Sequence, residues 1–118
     1  MRYMLLLHVP ADTRENEAVR APMSEWFAFG DALTEAGAYL AGGALQGTET
    51  ATTVRERASE TVLTDGPFAE TKEMLGGYYL LDCDLDTAKE WAAKMPNIAY
   101  GTVEVRPIME IPAEVPTA

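Results

Sequence analysis

The chain contains the order strand, helix, strand twice, once in each half, and this order limits the folds that it can adopt. Arg2 to Val9 is a nearly continuous apolar run ended by Pro10, which predicts a central strand covered on both faces. Pro22 suits the first turn of a helix that Gly37 ends as a C-terminal cap. The next predicted strand, Tyr39 to Leu45, contains a glycine pair that indicates a bulge or a close approach of two backbones. The residues that recur at helical spacing, and that we expect on the inner face of the helix, are Val19, Met23, Trp26, Phe27, Gly30 and Leu33.

A hairpin is predicted between the two halves, because Thr- and Val-rich segments flank the polar segment 55–59. The predicted elements from the hairpin onward are strands from Thr50 to Arg55, Glu60 to Thr64, Tyr78 to Cys83 and Thr102 to about Met109, and a helix capped by Asp84 or Asp86 and ended by Pro96. The inward stripe of that helix is predicted to be Leu85, Ala88, Trp91, Ala92 and Met95. We expect residues 1–111 to form one domain and residues 112–118 to be a flexible tail.

This order predicts the α+β class, specifically a ferredoxin-like split β-α-β arrangement with an inserted hairpin. Two helices would then cover one face of an antiparallel sheet. Alternation along the last strand places Val103 and Val105 towards the helices and Glu104 on the opposite face. The opposite face of the first strand would carry Arg2, Met4, Leu6 and His8. Because two helices cannot cover this mixed face, we predict a homodimer that buries it.

Composition and charge restrict the functional classes. A length of 118 residues with 47% hydrophobic and 24% charged residues is typical of one globular domain. The formal net charge of −10 repels nucleic acid and anionic membranes, so we expect no direct binding to either. The apolar run at the N-terminus is too short for a signal sequence or a membrane span. The single Cys83 allows no internal disulfide, which favours a cytoplasmic location and a packing role for this thiol over a nucleophilic one.

One long motif carries a resemblance to a known family. Residues 64–73 have the sequence Thr-Asp-Gly-Pro-Phe-Ala-Glu-Thr-Lys-Glu, and residues 75–79 have the sequence Leu-Gly-Gly-Tyr-Tyr. This motif resembles the signature of the DGPF branch of YCII-related proteins. The segments 4–7, 41–45, 90–93 and 103–107 are similar to that family too, so the resemblance covers residues 1 to about 111. It implies a dimeric α/β barrel with a small-molecule cleft between the sheet and its loops.

The resemblance leaves enzymatic activity open. Some relatives in the wider group are described as enzymes that act on small aromatic ring compounds, with a His and an Asp proposed as acid and base. By a rough alignment, Trp26 or a residue close to it occupies the position of that helical His, and the only histidine here is His8 on the first strand. Genes of the DGPF branch often lie beside those of extracytoplasmic-function sigma factors, which implies instead a regulatory role.

The candidate catalytic residues are Asp65 and His8, and each has a structural alternative. Asp65 could act as a base or a ligand acceptor in the cleft, or it could accept backbone N–H groups in the turn made by Gly66 and Pro67, and the two roles are compatible. His8 could carry a proton at neutral pH, or it could be a satisfied interface residue. The candidate ligand-binding residues are Phe68, Glu70, Lys72, Tyr79 and Arg106. The aromatic ones could stack on a ligand or pack in the core, while Glu70 and Lys72, taken alone, are a solvated charge run.

We expect neither a metal nor a cofactor, because one His and one isolated Cys cannot supply clustered ligands and no phosphate-binding glycine motif is present. An all-carboxylate site made by Asp65, Glu70 and Glu73 is a weaker alternative. Two functional hypotheses follow. The dimer binds a small neutral or aromatic molecule next to the DGPF loop, with acid/base or elimination chemistry, or it is a non-catalytic sensor or accessory protein in a sigma-factor circuit.

Overall fold

In the described part of the chain, six strands and two helices follow the order that the sequence predicts. A computed structural model describes residues 1–11, 20–67, 69 and 71–112. The elements are β1 (Arg2–Pro10), α1 (Met23–Glu35), β2 (Tyr39–Ala44), β3 (Thr52–Arg57), β4 (Glu60–Asp65), β5 (Glu73–Asp82), α2 (Leu85–Ala93) and β6 (Thr102–Pro107). A single 3₁₀ turn, Thr48–Thr50, lies between β2 and β3. No helix in the described part of the chain is long and apolar enough to cross a membrane.

The two strand–helix–strand units share one antiparallel sheet with the strand order β2-β5-β1-β6. β1 lies between β5 and β6, so the first strand of the chain pairs with two strands of the second half. This α+β arrangement is compatible with the ferredoxin-like fold that the sequence predicts. β3 and β4 form a separate two-stranded sheet, which is the predicted hairpin insertion.

The helices cover one face of the four-stranded sheet, and alternation along the strands is as predicted. Tyr3, Leu5, Leu7 and Val9 are buried. They belong to one hydrophobic core with Phe29 and Leu33 of α1, Leu81 of β5, and Ala88, Ala92 and Met95. Val103 and Val105 of β6 pack against this core, whereas Glu104 and Arg106 are exposed on the other face. Burial of the aliphatic side chains of β1 stabilises the fold by about 1.5–3 kcal/mol each.

Helix α1 begins directly after Pro22 and ends before Gly37, whose φ of +73° is the left-handed cap conformation. Its inner face differs from the prediction. Phe29 and Leu33 are the buried residues, whereas Met23 and Phe27 are 65% and 67% exposed. At about 100° per residue, Phe29 and Leu33 define the centre of the apolar stripe, and residues 23 and 27 lie on its flank. Val19 lies outside the described residues.

Strand β5 is longer than predicted, because it starts at Glu73 and contains Gly76 and Gly77. Glycine weakens a strand, but β5 pairs with β1 on one side and with β2 on the other, and these ladders hold it extended. The predicted irregularity of β2 lies between Tyr39 and Ala41, just before its glycine pair. β6 ends at Pro107, two residues earlier than expected.

The hairpin has a shorter connection than the sequence indicates. Residues 55–57 are part of β3, and a two-residue turn of Ala58 and Ser59 joins them to β4. In α2 the carboxylate of Asp84 accepts a hydrogen bond from the Thr87 N–H at 2.8 Å, so Asp84 rather than Asp86 is the N-cap. Leu85, predicted to point inward, is 42% exposed at the first helical position.

Candidate functional site

A groove lies between α1 and the strands β2 and β5, on the side of the sheet that the helices cover. Its volume is about 1120 Å³, which is ample for a small organic molecule. α2 packs at the other end of the sheet, against β1 and β6. The groove therefore exists because α1 leaves the glycine-containing parts of β2 and β5 uncovered.

Backbone forms the floor of the groove, because Gly42 and Gly43 of β2 and Gly76 and Gly77 of β5 line it. A Cβ added to Gly42 would lie 3.0 Å from Cδ1 of Tyr79, and one added to Gly77 would lie 2.7 Å from the Gly43 carbonyl oxygen. Both distances are shorter than ordinary van der Waals contact. The close backbone approach predicted from the glycine pair is thus confirmed, and the missing side chain at Gly42 lets the Tyr79 ring pack closely against the backbone.

Helix α1 forms one wall with residues of its flank. Trp26 is half-buried there, and Met23 and Phe27 expose most of their apolar side chains beside the groove. Gly30 also lines this wall, and a Cβ added to it would meet no atom within 4 Å. A glycine inside a helix costs about 1 kcal/mol relative to alanine. The space beside Gly30 is therefore part of the groove rather than a packing contact.

Aromatic rings of β2 and β5 also line the groove. The ring of Tyr79 meets Phe29 edge to face at 5.3 Å between centroids, and Tyr39 at 6.3 Å. Such contacts stabilise the ring positions by about 0.5–1.5 kcal/mol per pair. Burial, and then the neighbouring Tyr39 hydroxyl, raise the pKa of Tyr79 above its usual value. The Tyr79 hydroxyl therefore stays protonated at neutral pH and can donate a hydrogen bond.

Polar groups also line the groove, among them the charged side chain of Arg20. The Tyr100 hydroxyl accepts a hydrogen bond from the Ala21 N–H at 3.1 Å, and its own hydrogen stays available to donate. Thr34 donates to the Gly30 carbonyl oxygen within α1 at 2.9 Å. Asp31 and Gln46 also line the groove. Groups of this kind can orient a ligand, while the apolar walls supply most of the contact area.

The DGPF loop lies next to the groove. A smaller hollow of about 380 Å³ is lined by Gly66, Pro67 and Met74, together with residues near Thr48. Met74 lines both spaces. The loop is held by backbone bonds, since the Gly66 N–H donates to the Ala51 carbonyl oxygen at 2.7 Å.

The structure distributes the candidate residues over three places. Tyr79 lines the groove, whereas His8 and Arg106 lie on the face of the sheet opposite the helices. Asp65 is the exposed last residue of β4 in the separate two-stranded sheet, and Lys72 is exposed just before β5. Phe68 and Glu70 lie outside the described residues. A joint role for Asp65 and His8 therefore stays a prediction.

The face of the sheet that the helices leave uncovered is termed the open face. It carries Met4, Leu6 and His8 of β1, Leu75, Tyr78 and Leu80 of β5, and Glu104 and Arg106 of β6. His8 Nε2 lies 3.5 Å from the Glu104 carboxylate, and the His8 carbonyl oxygen accepts a bond from the buried Asn97 amide at 3.2 Å. Among the described residues, no three His, Cys, Asp or Glu side chains lie close enough to hold a metal ion.

Comparison with known proteins gives the family. The family model of the YCII-related domain matches residues 1–112. The chain belongs to the YCII-related domain family. An uncharacterised protein of Rhizobium meliloti (strain 1021) is 47% identical over 74 residues, which are 59% of this chain and 60% of that relative. The chain thus spans less than two thirds of the length of the curated relative that it matches.

Sequence reasoning missed most of the groove of this YCII-related domain. The helical spacing places Phe27 and Gly30 on the inner stripe of α1, and no motif points to Tyr39 or Tyr100 as site residues. Two signals could have found them. A glycine within the apolar stripe of a helix leaves a gap, and two glycine pairs on neighbouring strands indicate that backbones and neighbouring rings pack closely there.

Proposed function

We propose that this YCII-related protein binds a small, flat, apolar or aromatic molecule in the groove between α1 and strands β2 and β5. The observation that carries the proposal is the combination of a glycine floor with aromatic walls. Aromatic rings beside glycine backbone match a ring-shaped ligand, because offset and edge-to-face contacts need planar partners. The adjacent DGPF loop is proposed to close one end of the ligand site.

The tyrosine hydroxyl groups of the groove support a ligand that accepts hydrogen bonds. Tyr79 and Tyr100 offer hydroxyl donors, and the raised pKa of Tyr79 keeps its proton in place. The net charge of −10 disfavours a ligand with several negative charges. His8 is not among the lining residues, so the proposal is binding rather than proton transfer. Acid or base chemistry by Asp65, with His8 or Glu70, would need a separate demonstration.

Filling the groove at Gly30 tests the proposal. Gly30→Phe should place a ring in the empty space while leaving the helix intact, since a Cβ there meets no neighbour. Gly30→Ala is the matched control, which should stabilise the fold by about 0.5–1 kcal/mol and leave most of the groove open. Indole and 2-naphthol serve as neutral aromatic probes, with binding followed by ligand-observed NMR.

We expect both probes to bind the wild type and Gly30→Ala, and to bind Gly30→Phe at least tenfold more weakly. Circular dichroism and melting curves check that Gly30→Phe is folded. Equal binding by folded Gly30→Phe would reject the groove as the site. If neither probe binds the wild type, the accessory-protein hypothesis gains support instead.

We further propose that the protein is a cytoplasmic homodimer of the DGPF branch that packs through its open face. Apolar residues in the centre of that face support this, with Met4 and Leu6 half-buried and Leu75 40% exposed. Light scattering at micromolar concentration should give twice the chain mass of 12.9 kDa. Leu6→Lys should give the single-chain mass, because it places a charge at the centre of the contact. A wild-type monomer would contradict the dimer without affecting the groove.

A further inference from the structure

The β3–β4 hairpin, which we term the arm, stands apart from the rest of the molecule. It forms a separate two-stranded sheet, and every residue of β4 is exposed. The radius of gyration is 16.9 Å, whereas a compact domain of this length has about 13–14 Å. The molecule measures 47 × 44 × 18 Å, and a thickness of 18 Å fits one layer of helices on one sheet. The arm therefore extends sideways, within the plane of the layers.

An apolar pair lies on one face of the arm. Val54 and Leu63 are directly opposite each other in the ladder and are 63% and 67% exposed. A two-stranded hairpin by itself is marginally stable in water. The turn adds a cost, since Ala58 and Ser59 both take positive φ values. An arm of this kind needs a surface that covers its apolar pair.

The area of the open face indicates what provides that surface. Four strands about 4.8 Å apart, of 9, 6, 10 and 6 residues, give a face of roughly 500 Å². A stable interface buries about 800 Å² per partner, so packing of two open faces supplies only part of that area. One face of the arm adds roughly 200 Å² by the same strand dimensions. In a symmetric dimer each copy gains this area twice, once from its own arm and once from the surface that its partner's arm covers.

We propose that the arm packs against a second copy of this chain through Val54 and Leu63, so that two arms clasp a dimer formed by the open faces. This inference rests on the proposed dimer and is independent of the proposed ligand. The arm cannot cover the open face of its own chain, because it extends in the plane of that sheet. A second copy provides an apolar face and an arm of its own, so one contact covers the apolar residues of both chains.

The test compares dissociation of the dimer in matched arm variants. Val54→Thr with Leu63→Thr keeps residues that favour strands while removing the apolar pair. Val62→Thr is the control, because Val62 pairs with Arg55 on the opposite face of the arm. By sedimentation equilibrium, we expect the double variant to raise the dimer dissociation constant at least tenfold and the control to change it less than threefold. An unchanged dissociation constant in the double variant would overturn the arm contact and leave the dimer standing.

An environment-sensitive label gives a second measurement that does not depend on destabilisation. A bimane label on Leu63→Cys in a Cys83→Ser background should report an apolar environment above the dissociation constant and a polar one after dilution. A label on Thr64→Cys, on the opposite face, should report water at both concentrations. A label at residue 63 that stays in water in a dimer would contradict the arm contact. A wild type that is monomeric throughout would contradict both the arm contact and the dimer.

Discussion

Cys83 follows β5 and packs half-buried against the core, as expected of a packing thiol. Burial, and then the carboxylates of Asp84 and Asp82, raise the pKa of this thiol above its usual value. Because the thiolate is the reactive form, alkylation by iodoacetamide at pH 7 should be at least tenfold slower than in the unfolded chain. Mass spectrometry over pH 7–10 measures the rate, and Asp84→Asn should speed the reaction. A folded rate equal to the unfolded one would refute this prediction.

The turn after β4 allows the two roles of Asp65 to be separated. Gly66 has a φ of +98°, and its carbonyl oxygen accepts a hydrogen bond from the Thr53 hydroxyl at 2.7 Å. We expect Gly66→Ala to cost about 1–2 kcal/mol and Thr53→Val about 1 kcal/mol in denaturant melts. Asp65→Ala should cost less than either, because its exposed carboxylate is not needed for these bonds. If Asp65→Ala lost more than about 2 kcal/mol of stability, the Asp65 carboxylate would be the group that holds the turn.

At the level of elements, substitutions in the turn between β3 and β4 should stabilise the fold. Ala58 and Ser59 have φ values of 52° and 65°, the conformation of a type I′ turn that Asn-Gly adopts best. Ala58→Asn with Ser59→Gly should therefore stabilise the arm by about 1 kcal/mol. Amide hydrogen exchange in β3 and β4 should slow several-fold, while exchange in β1 and β5 stays unchanged. Faster exchange in β3 would show that the turn is not strained. The control variant Ser59→Val should have the opposite effect and speed amide exchange in β3 and β4.

The strand and helix order could be predicted because each element carries its own period. Alternation in β1 and β6 is enough to predict the buried face of the sheet. The hydrogen bond between Asp84 and Thr87 shows that a helix cap can be predicted from a few neighbouring residues. The inner face of α1 was less predictable, since the apolar residues of that helix extend well round it. Which part meets the sheet depends on how α1 packs, and packing is a tertiary property.

At the scale of the whole molecule, the groove and the open face share residues of β5, because Leu75 and Tyr78 belong to the open face and also line the groove. Along β5, Tyr79 faces the helices, whereas Tyr78 follows the alternation of the open face, packs beside Gly43 and also lines the groove. Sequence could separate the two faces but could not show that α1 leaves one end of its own face uncovered. That gap results from the position of a helix over a sheet, which no single residue determines. The candidate site is therefore harder to predict than the fold.

Net charge gives a prediction for the dimer as a whole. Each chain carries −10, so two chains in contact repel each other across roughly 25 Å. This repulsion is several kcal/mol at 0.01 M salt, where the screening length is about 30 Å, and below about 1 kcal/mol at 0.15 M, where it is about 8 Å. The dimer dissociation constant should thus rise at least tenfold when salt is lowered from 0.15 M to 0.01 M.

Sedimentation equilibrium at the two salt concentrations measures this change, with sucrose at equal osmolality as the control for effects other than screening. Arg2 and Arg106 lie on the open face among the acidic side chains of Glu104 and Glu110, with Arg2 3.6 Å from the Glu110 carboxylate. If such pairs formed between the two chains, low salt would strengthen the dimer instead. A tighter dimer at 0.01 M would therefore indicate that charge complementarity, rather than the apolar centre of the open face, holds the two copies together.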